Sequence, residues 1–163
     1  MSSGSSIPGA GWATPSLSVF QLGKGKTLAV PMATHAACRQ KLVGLMKIHH
    51  EVDCGVILLK GGEETTQYDS DTDVLFRQDS WFNYLFGVKE AGFYGGIRVE
   101  DGTSVLFIPK LQDSYRIWCG EIFPPSYFKD LYGVDEVLYT DDLGNWLTSE
   151  LETRGGQIHV LFG

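Results

Sequence analysis

The 163-residue sequence has no long hydrophobic run and no excess of basic residues. No apolar stretch approaches the ~20 residues that a membrane-spanning helix needs, so we expect no membrane partner. Thirteen lysines and arginines stand against twenty aspartates and glutamates, which gives a net charge of −7. Because this charge repels phosphate backbones, we also expect no nucleic-acid partner. Length and composition instead predict one globular domain with a hydrophobic core of its own.

The cysteine content and the N-terminus both indicate a reducing, cytoplasmic location. The three cysteines, Cys38, Cys54 and Cys119, are odd in number, widely spaced and outside any C-x-x-C pair. The opening MSSGSSIPGAG has no basic start and no apolar core, so it does not have the pattern of a signal peptide. We expect residues 1–15 to be a disordered tail and residues 16–163 to form the domain.

The sequence contains no complete catalytic motif. It has no G-x-S-x-G, no H-E-x-x-H and no cysteine paired with a positioned histidine. GKGKT at 23–27 has the end of a phosphate-binding loop, but the required glycine five residues before Gly25 is Phe20. The neighbours His49 and His50 would point in different directions, and no second His/Cys cluster lies near them. We therefore expect the histidines to be solvated or packed rather than bound to metal.

The segment DSDTD at 69–73 places carboxylates at alternate positions, as the first half of a calcium loop does. The loop would need glycine at its sixth position, which is Val74, and an acid at its twelfth, which is Ser80. Calcium binding is therefore excluded, and a turn or capping role is expected for Asp71 and Asp73. A metal-dependent nuclease site stays open as an alternative, although no matching acid is apparent on another predicted strand.

Hydrophobic periodicity predicts alternating helices and strands. Residues 33–47 have apolar side chains at helical spacing, and the polar residues from 49 to 53 are expected to end this helix. GVILLKGG at 55–62 is typical of a strand buried on both faces, and residues 93–108 predict a hairpin. Later patterns predict a helix at 126–132, a strand at 134–140, a helix at 141–151 and a strand at 157–163. The expected fold class is α/β, a mixed β-sheet flanked by helices.

An aromatic-rich segment, FRQDSWFNYLFGV, occupies residues 76–88. Its four aromatics from 81 to 86 are too dense for a surface, so most of them are expected to be buried. Asp79 or the following serine would cap a short helix over 81–86, and Gly87 would end it. Arg77 is expected to pair with Asp79 or with the preceding acids at 71 and 73. We interpret Arg77, Asp79, Tyr84 and Gly87 as a structural motif rather than as substrate ligands.

Several segments of the sequence resemble one known family. GGEETTQYDSDTDVLFRQDSWFNYLFGV resembles the N-terminal domain of the Xaa-Pro dipeptidases, or prolidases, which are relatives of aminopeptidase P and creatinase. The likeness includes VPMATHAACRQKL, LFIPKL, YRIWCG and YFKDLYGVDEVLYTDDL, in the same order along the chain. The resemblance implies a creatinase/prolidase-type N-terminal domain, with a mixed sheet in a ribonuclease H-like arrangement and helices on both faces.

The resemblance also implies the rest of an enzyme. In this family a C-terminal "pita-bread" domain holds two divalent ions, usually manganese, which activate a water for attack on a peptide bond involving proline. We expect that domain to be absent here, so this chain is expected to have no catalytic residue and no cofactor. The N-terminal domain of the family helps to form the homodimer, and the tryptophan that matches Trp118 caps the substrate pocket of the other subunit. An indole suits this role because it offers a flat apolar wall for a proline ring.

The resemblance therefore predicts a non-catalytic domain of a manganese-dependent Xaa-Pro dipeptidase or aminopeptidase. Its expected partners are its own C-terminal catalytic domain, a second subunit and, through the whole enzyme, proline-containing dipeptides. The alternative is a stand-alone peptide- or protein-binding module without hydrolysis, because related architectures bind without cleaving.

Overall fold

The computed structural model describes residues 19–20 and 26–161, without the side chains of Phe20, Trp118 and Cys119. The predicted tail at 1–15 lies outside the described residues. The helices are α1 (Met32–His50), α2 (Ser80–Phe86), α3 (Arg116–Cys119), α4 (Pro125–Tyr132) and α5 (Leu143–Arg154), with 3-10 turns at Asp113–Tyr115 and Thr140–Asp142. The strands are β1 (Val19–Phe20), β2 (Val30–Pro31), β3 (Gly55–Lys60), β4 (Tyr94–Arg98), β5 (Ser104–Ile108), β6 (Glu136–Tyr139) and β7 (Gln157–Val160).

Within the described part of the chain, five strands form one mixed sheet in the order β6-β5-β4-β3-β7. β3, β4 and β5 are antiparallel neighbours, whereas β6 runs parallel to β5 and β7 runs parallel to β3. The two-residue strands β1 and β2 pair separately. The predicted α/β class is confirmed, and so is the hairpin, in which Ile97 of β4 lies opposite Ser104 of β5.

Apolar side chains are buried on both faces of the sheet, as expected when helices cover each face. On the face that we call the α1 side, helices α1, α2 and α4 cover a core that includes Ile57, Leu59, Ile97, Leu106 and Ile108 of the sheet. On the opposite face, Trp146 of α5 packs against Val56, Val105 and Phe107. Gly96 of β4 makes room for this indole, since a Cβ there would come within 2.9 Å of its ring.

A buried arginine connects three helices. The guanidinium of Arg39 on α1 donates hydrogen bonds to the carbonyls of Leu85, at 2.9 Å, and Gly133, at 2.8 Å. These carbonyls lie at the C-terminal ends of α2 and α4, where helical carbonyls lack intrahelical partners and a cation is favourable. Burial lowers the pKa of Arg39 to about 10, so the side chain stays charged at neutral pH. The position of α2 against α1 is therefore held by more than apolar packing.

Two helices differ from their predicted bounds, since α5 runs over Leu143–Arg154 rather than 141–151 and α1 ends later than predicted. α1 continues through His49 and His50, so the predicted break at residue 49 was wrong. Basic side chains in a last turn face the negative end of the helix, which makes this extension favourable, and the left-handed Glu51 (φ 54°) then ends it. α4 begins with Pro125 and ends at the left-handed Gly133, as predicted. In the described ranges, no helix has the length and apolar content of a membrane span.

Candidate binding groove

The aromatic segment contains a short capped helix, α2, as the sequence predicts. The Asp79 carboxylate accepts a 2.9 Å hydrogen bond from the backbone N–H of Phe82, which confirms the N-cap. Gly87 is left-handed, with φ 69°, and its N–H donates to the Asn83 carbonyl at 2.9 Å. A Cβ at Gly87 would also come within 2.5 Å of the His35 ring. Glycine is thus required at this position for both conformation and space.

The aromatic side chains of α2 divide between its two faces. Phe82 and Phe86 are fully buried, with their stacked rings 5.2 Å apart between centroids. Trp81 and Tyr84 are 58% and 46% exposed, so the prediction that most of these aromatics are buried was wrong. Residues at i, i+3 and i+4 share one face of a helix, and here positions 82, 85 and 86 face the core. Trp81 and Tyr84 lie together on another face, with their rings edge to face at 6.4 Å.

Arg77 does not form the expected ion pair. Its side chain is exposed, and no salt bridge joins it to Asp71, Asp73 or Asp79 in the ranges that the structure describes. The carboxylate of Asp79 is used instead to cap α2, where it bonds to a backbone N–H. Because a long exposed side chain loses entropy when it is held in an ion pair, the absence of this bond is physically reasonable.

Gln78, which the sequence did not indicate, holds the segment in place. Its side-chain N–H donates to the Glu90 carbonyl at 2.9 Å, and its side-chain oxygen accepts from the backbone N–H of Gly62. The amide therefore joins the end of β3 to the loop that follows α2. Its partners lie 12 and 16 residues away in the sequence, so no local pattern predicts these bonds.

An apolar groove of about 730 Å³ lies between α1, α2 and the β3–β7 side of the sheet. α1 lines it with Lys41, Leu45 and His50, α2 with Trp81 and Tyr84, and the sheet with His159, among others. The outward face of α2 is therefore one wall of the groove, while its inward face belongs to the core. Helical periodicity within residues 81–86 was the sequence signal that separates the groove-facing side chains of α2 from its core-facing ones.

The polar groups that the described residues contribute to the groove include no carboxylate. Lys41, His50 and His159 are its basic side chains, and Tyr84 and Cys38 add a hydroxyl and a thiol. A hydrogen bond to Cys38, together with the charge that this thiol carries when it ionises, raises the pKa of Tyr84 above its usual value. The Nε2 atom of His159 is buried and has no hydrogen-bond partner among the described residues.

The absence of a histidine metal site stays a prediction. No three His, Cys, Asp or Glu side chains converge on a possible ion in the part of the chain that the structure describes. His49 is exposed, and the Nδ1 atom of His35 lies 2.9 Å from the Tyr84 carbonyl. His49 is therefore solvated, and His35 packs against α2.

The acidic segment at 69–73 is part of an exposed turn. The Gln67 N–H donates to the Thr72 carbonyl at 2.7 Å, and the Ser70 hydroxyl donates to the Gln67 carbonyl at 2.6 Å. Thr66 and Asp73 form an isolated antiparallel bridge across the turn. The predicted turn is therefore present, and it is built from backbone groups and Ser70.

The backbone of Trp118 lies in α3, and its side chain lies outside the described part of the structure. Its position against a substrate pocket therefore stays a prediction. Residues 111–123, which we call the exposed apolar segment, carry several large side chains on the surface. Ile117 is 82% exposed, and Tyr115 and Phe123 are also exposed.

Proteins with similar sequences include dipeptidases from mammals. The Xaa-Pro dipeptidase of Homo sapiens is 46% identical over 132 residues, which cover 80% of this chain and 27% of that protein. The Xaa-Pro dipeptidase of Mus musculus is 46% identical over 131 residues, covering 80% of this chain and 26% of that protein. The chain thus spans about a quarter of the length of these relatives.

Solved structures with a similar fold are aminopeptidases. The Pseudomonas aeruginosa aminopeptidase PepP superposes with a TM-score of 0.68 at 22% identity, over 82% of this chain and 29% of that chain. The low-pH form of Escherichia coli aminopeptidase P gives a TM-score of 0.63 at 23% identity, over 75% of this chain and 27% of that chain. The family model for the aminopeptidase P N-terminal domain matches residues 35–159. The chain therefore belongs to the aminopeptidase P N-terminal domain family.

Proposed function

We propose that this chain acts as the non-catalytic N-terminal domain of a manganese-dependent Xaa-Pro dipeptidase or aminopeptidase. In this role it helps to form a homodimer and lines the substrate pocket of the partner subunit, while the whole enzyme hydrolyses a bond involving proline. The proposal is carried by the family match over residues 35–159 and is supported by the 46% identity to a dipeptidase. We propose a cytoplasmic location for the same protein because Cys38 and Cys54 are free thiols.

The exposed apolar segment supports the dimerisation part of this proposal. Ile117 and its neighbour Tyr115 expose apolar surface beside the backbone of Trp118. Exposed clusters of large apolar side chains mark contact surfaces in soluble proteins. Trp118 would add a large, flat contact area with few rotatable bonds, which limits the entropy lost when a pocket closes over a proline ring.

In this proposal the manganese ions are bound by a different domain of the longer family members. The described residues do not fit a site for two metal ions, because no group of three possible ligands converges among them. Two bound metal ions would supply an activated water for hydrolysis. No step of that reaction is assigned to the described residues, whose proposed contribution is a binding surface.

Replacement of the tryptophan that matches Trp118 in a full-length Xaa-Pro dipeptidase tests the pocket-lining role. We expect Trp118→Ala to raise KM for Gly-Pro by about tenfold, since one aromatic contact contributes about 1.5 kcal/mol. The measurements are steady-state kinetics and thermal unfolding, with Leu75→Ala, which removes an exposed apolar side chain outside the exposed apolar segment, as the control. An unchanged KM together with a lowered melting temperature would show that the tryptophan is only a packing residue.

The apolar groove favours a second candidate function, a binding module that acts without hydrolysis. Its volume of about 730 Å³ lies within the range of sites that hold small ligands or peptide side chains. Titration of the chain with Gly-Pro, followed by the NMR signal of the Trp81 indole, separates the candidates. Saturable binding by this chain alone favours the module, whereas no binding favours a domain that needs a partner subunit to complete the pocket.

A further inference from the structure

The α1 side of the sheet is only partly covered at β7, where His159 is half-buried. A helix with its side chains is about 10 Å wide and neighbouring strands lie about 4.8 Å apart, so one helix covers about two strands. α4 packs at the β6 side and α1 packs with α2 towards β3, whereas β7 lies beyond them at the sheet edge. His159 of β7 lies beside Ile57 of β3 and faces the groove with it. The strip at β7 is therefore about one strand wide, and a helix seated there would also contact the α1 and α2 walls of the groove.

The surface of this strip is apolar. Leu45 of α1 is 41% exposed, and Trp81 and Leu161 are also exposed along the groove. These three side chains come from three different parts of the chain, so the patch is a product of the fold and not of one hydrophobic run. A continuous apolar patch between two helices and a sheet edge is the geometry that accepts an amphipathic helix.

The charge of the groove differs from the charge of the whole chain. The chain carries −7, yet the described side chains that line the groove include no aspartate or glutamate and do include Lys41, His50 and His159. Lys41 and His50 are exposed on the same helix. An occupant with acidic side chains on its polar flank would therefore be attracted to this groove.

We propose that the groove binds an amphipathic helix with an acidic flank, which is supplied by the polypeptide that follows this domain in the longer family members. The described chain leaves β7 at Leu161, and Leu161 itself lines the groove, so a short connection would bring a following helix into it. About three quarters of the human relative lies outside the matched region, since the match covers 27% of that protein. The inference rests on membership of the family and not on the proposed catalytic or dimer roles.

Binding of peptides from the human relative tests this occupant. Labelled peptides of about 20 residues, long enough to form a helix, are tiled over the polypeptide that follows the matched region of human Xaa-Pro dipeptidase. Their binding to the full chain is measured by fluorescence anisotropy. We expect one amphipathic peptide to bind with a Kd on the order of 100 μM or tighter, because a peptide in trans lacks the millimolar effective concentration of a covalent link.

Two exposed positions on α1 provide a matched pair of variants. Leu45 lines the groove, whereas Ile48, which is 74% exposed, does not line it. We expect Leu45→Asp to weaken peptide binding at least about tenfold and Ile48→Asp to leave it unchanged, since only the first places a charge in the apolar contact. Lys41→Glu should weaken binding about threefold, because it replaces an attractive charge beside the acidic flank of the peptide with a repulsive one. Circular dichroism confirms that the variants are folded.

Three results would overturn the inference. The first is that no peptide binds at millimolar concentration, and the second is that Leu45→Asp and Ile48→Asp have equal effects on binding. The third is that the chain self-associates through a contact that Leu45→Asp abolishes and that no peptide competes with, which would make a second copy the occupant. None of these results bears on the Trp118 kinetics, so failure here is distinguishable from failure of the proposed function.

Discussion

The two faces of α2 have opposite roles in the molecule. The inward face places Phe82 and Phe86 in the α1-side core, where both side chains are fully buried. The outward face places Trp81 and Tyr84 at the groove, where both are exposed. The same seven-residue helix therefore anchors the fold and presents a binding surface. Dense aromatics in a sequence do not by themselves show burial, because the helical period decides which face each ring occupies.

The sheet shows the same contrast between its centre and its edge. Every residue of β5 is buried, and that strand is paired on both sides. β7 is paired only with β3 among the described strands, and its Val160 is 67% exposed. The centre of the sheet supplies stability, whereas the β7 edge and the groove beside it are available for contacts with other polypeptide.

The largest expected effect compares Phe86→Ala with Trp81→Ala. Removal of the Phe86 ring should lower the free energy of unfolding by about 3 to 5 kcal/mol, because it leaves a cavity over Gly95, whose lack of a side chain accommodates the ring. Removal of the exposed Trp81 ring should cost less than about 1 kcal/mol. Urea unfolding followed by circular dichroism measures both values. Equal losses would mean that the outward face also carries the fold.

Removal of the helix cap should affect both faces of α2 by a smaller amount. We expect Asp79→Ala to lower the free energy of unfolding by about 1 kcal/mol, because the Phe82 N–H loses its acceptor. Asp71→Ala, which changes an exposed acid in the preceding turn, should have almost no effect. Hydrogen exchange of the Phe82 amide provides the local measurement and should be faster only in the first variant. Equal exchange rates in both variants would contradict the capping role.

Local signals were sufficient to predict the five strands of the main sheet, the four longer helices and the caps of α2 and α4, but not α3, β1 or β2. Asp79 and Gly87 bracket α2, and Pro125 and Gly133 bracket α4, because capping depends on residues within one turn of the helix end. The mixed sheet followed from the order and length of the apolar runs. The family resemblance identified the fold type, which composition alone could not do.

The groove and the hydrogen bonds of Arg39 could not be predicted from local sequence patterns. Its walls come from α1, α2 and β7, which lie far apart in the sequence, so no single segment contains the pattern. The bonds from Arg39 to the Leu85 and Gly133 carbonyls span 46 and 94 residues, and either end looks ordinary by itself. The expected pairing of Arg77 was wrong although its candidate partners are close in the sequence. Proximity alone does not offset the entropy that an exposed side chain loses in an ion pair.

The smallest expected effect is a pH dependence at the outward face of α2. The Cys38 thiol raises the pKa of Tyr84 in the folded chain above its value in the unfolded chain, which is near 10.0. The unfolded state therefore gains more from ionisation of Tyr84, and this contribution to stability is complete below pH 10 and is lost as the pH rises through the folded pKa. Tyr84→Phe removes the titrating group, so the stability advantage of the wild-type chain over this variant should decrease between pH 8 and pH 10.5. Tyr68→Phe, at an exposed position in the acidic turn, is the control and should show no such change. Urea unfolding at the two pH values measures the difference in the free energy of unfolding between wild type and variant. If this difference is the same at both pH values for Tyr84→Phe, the Cys38 contact is excluded.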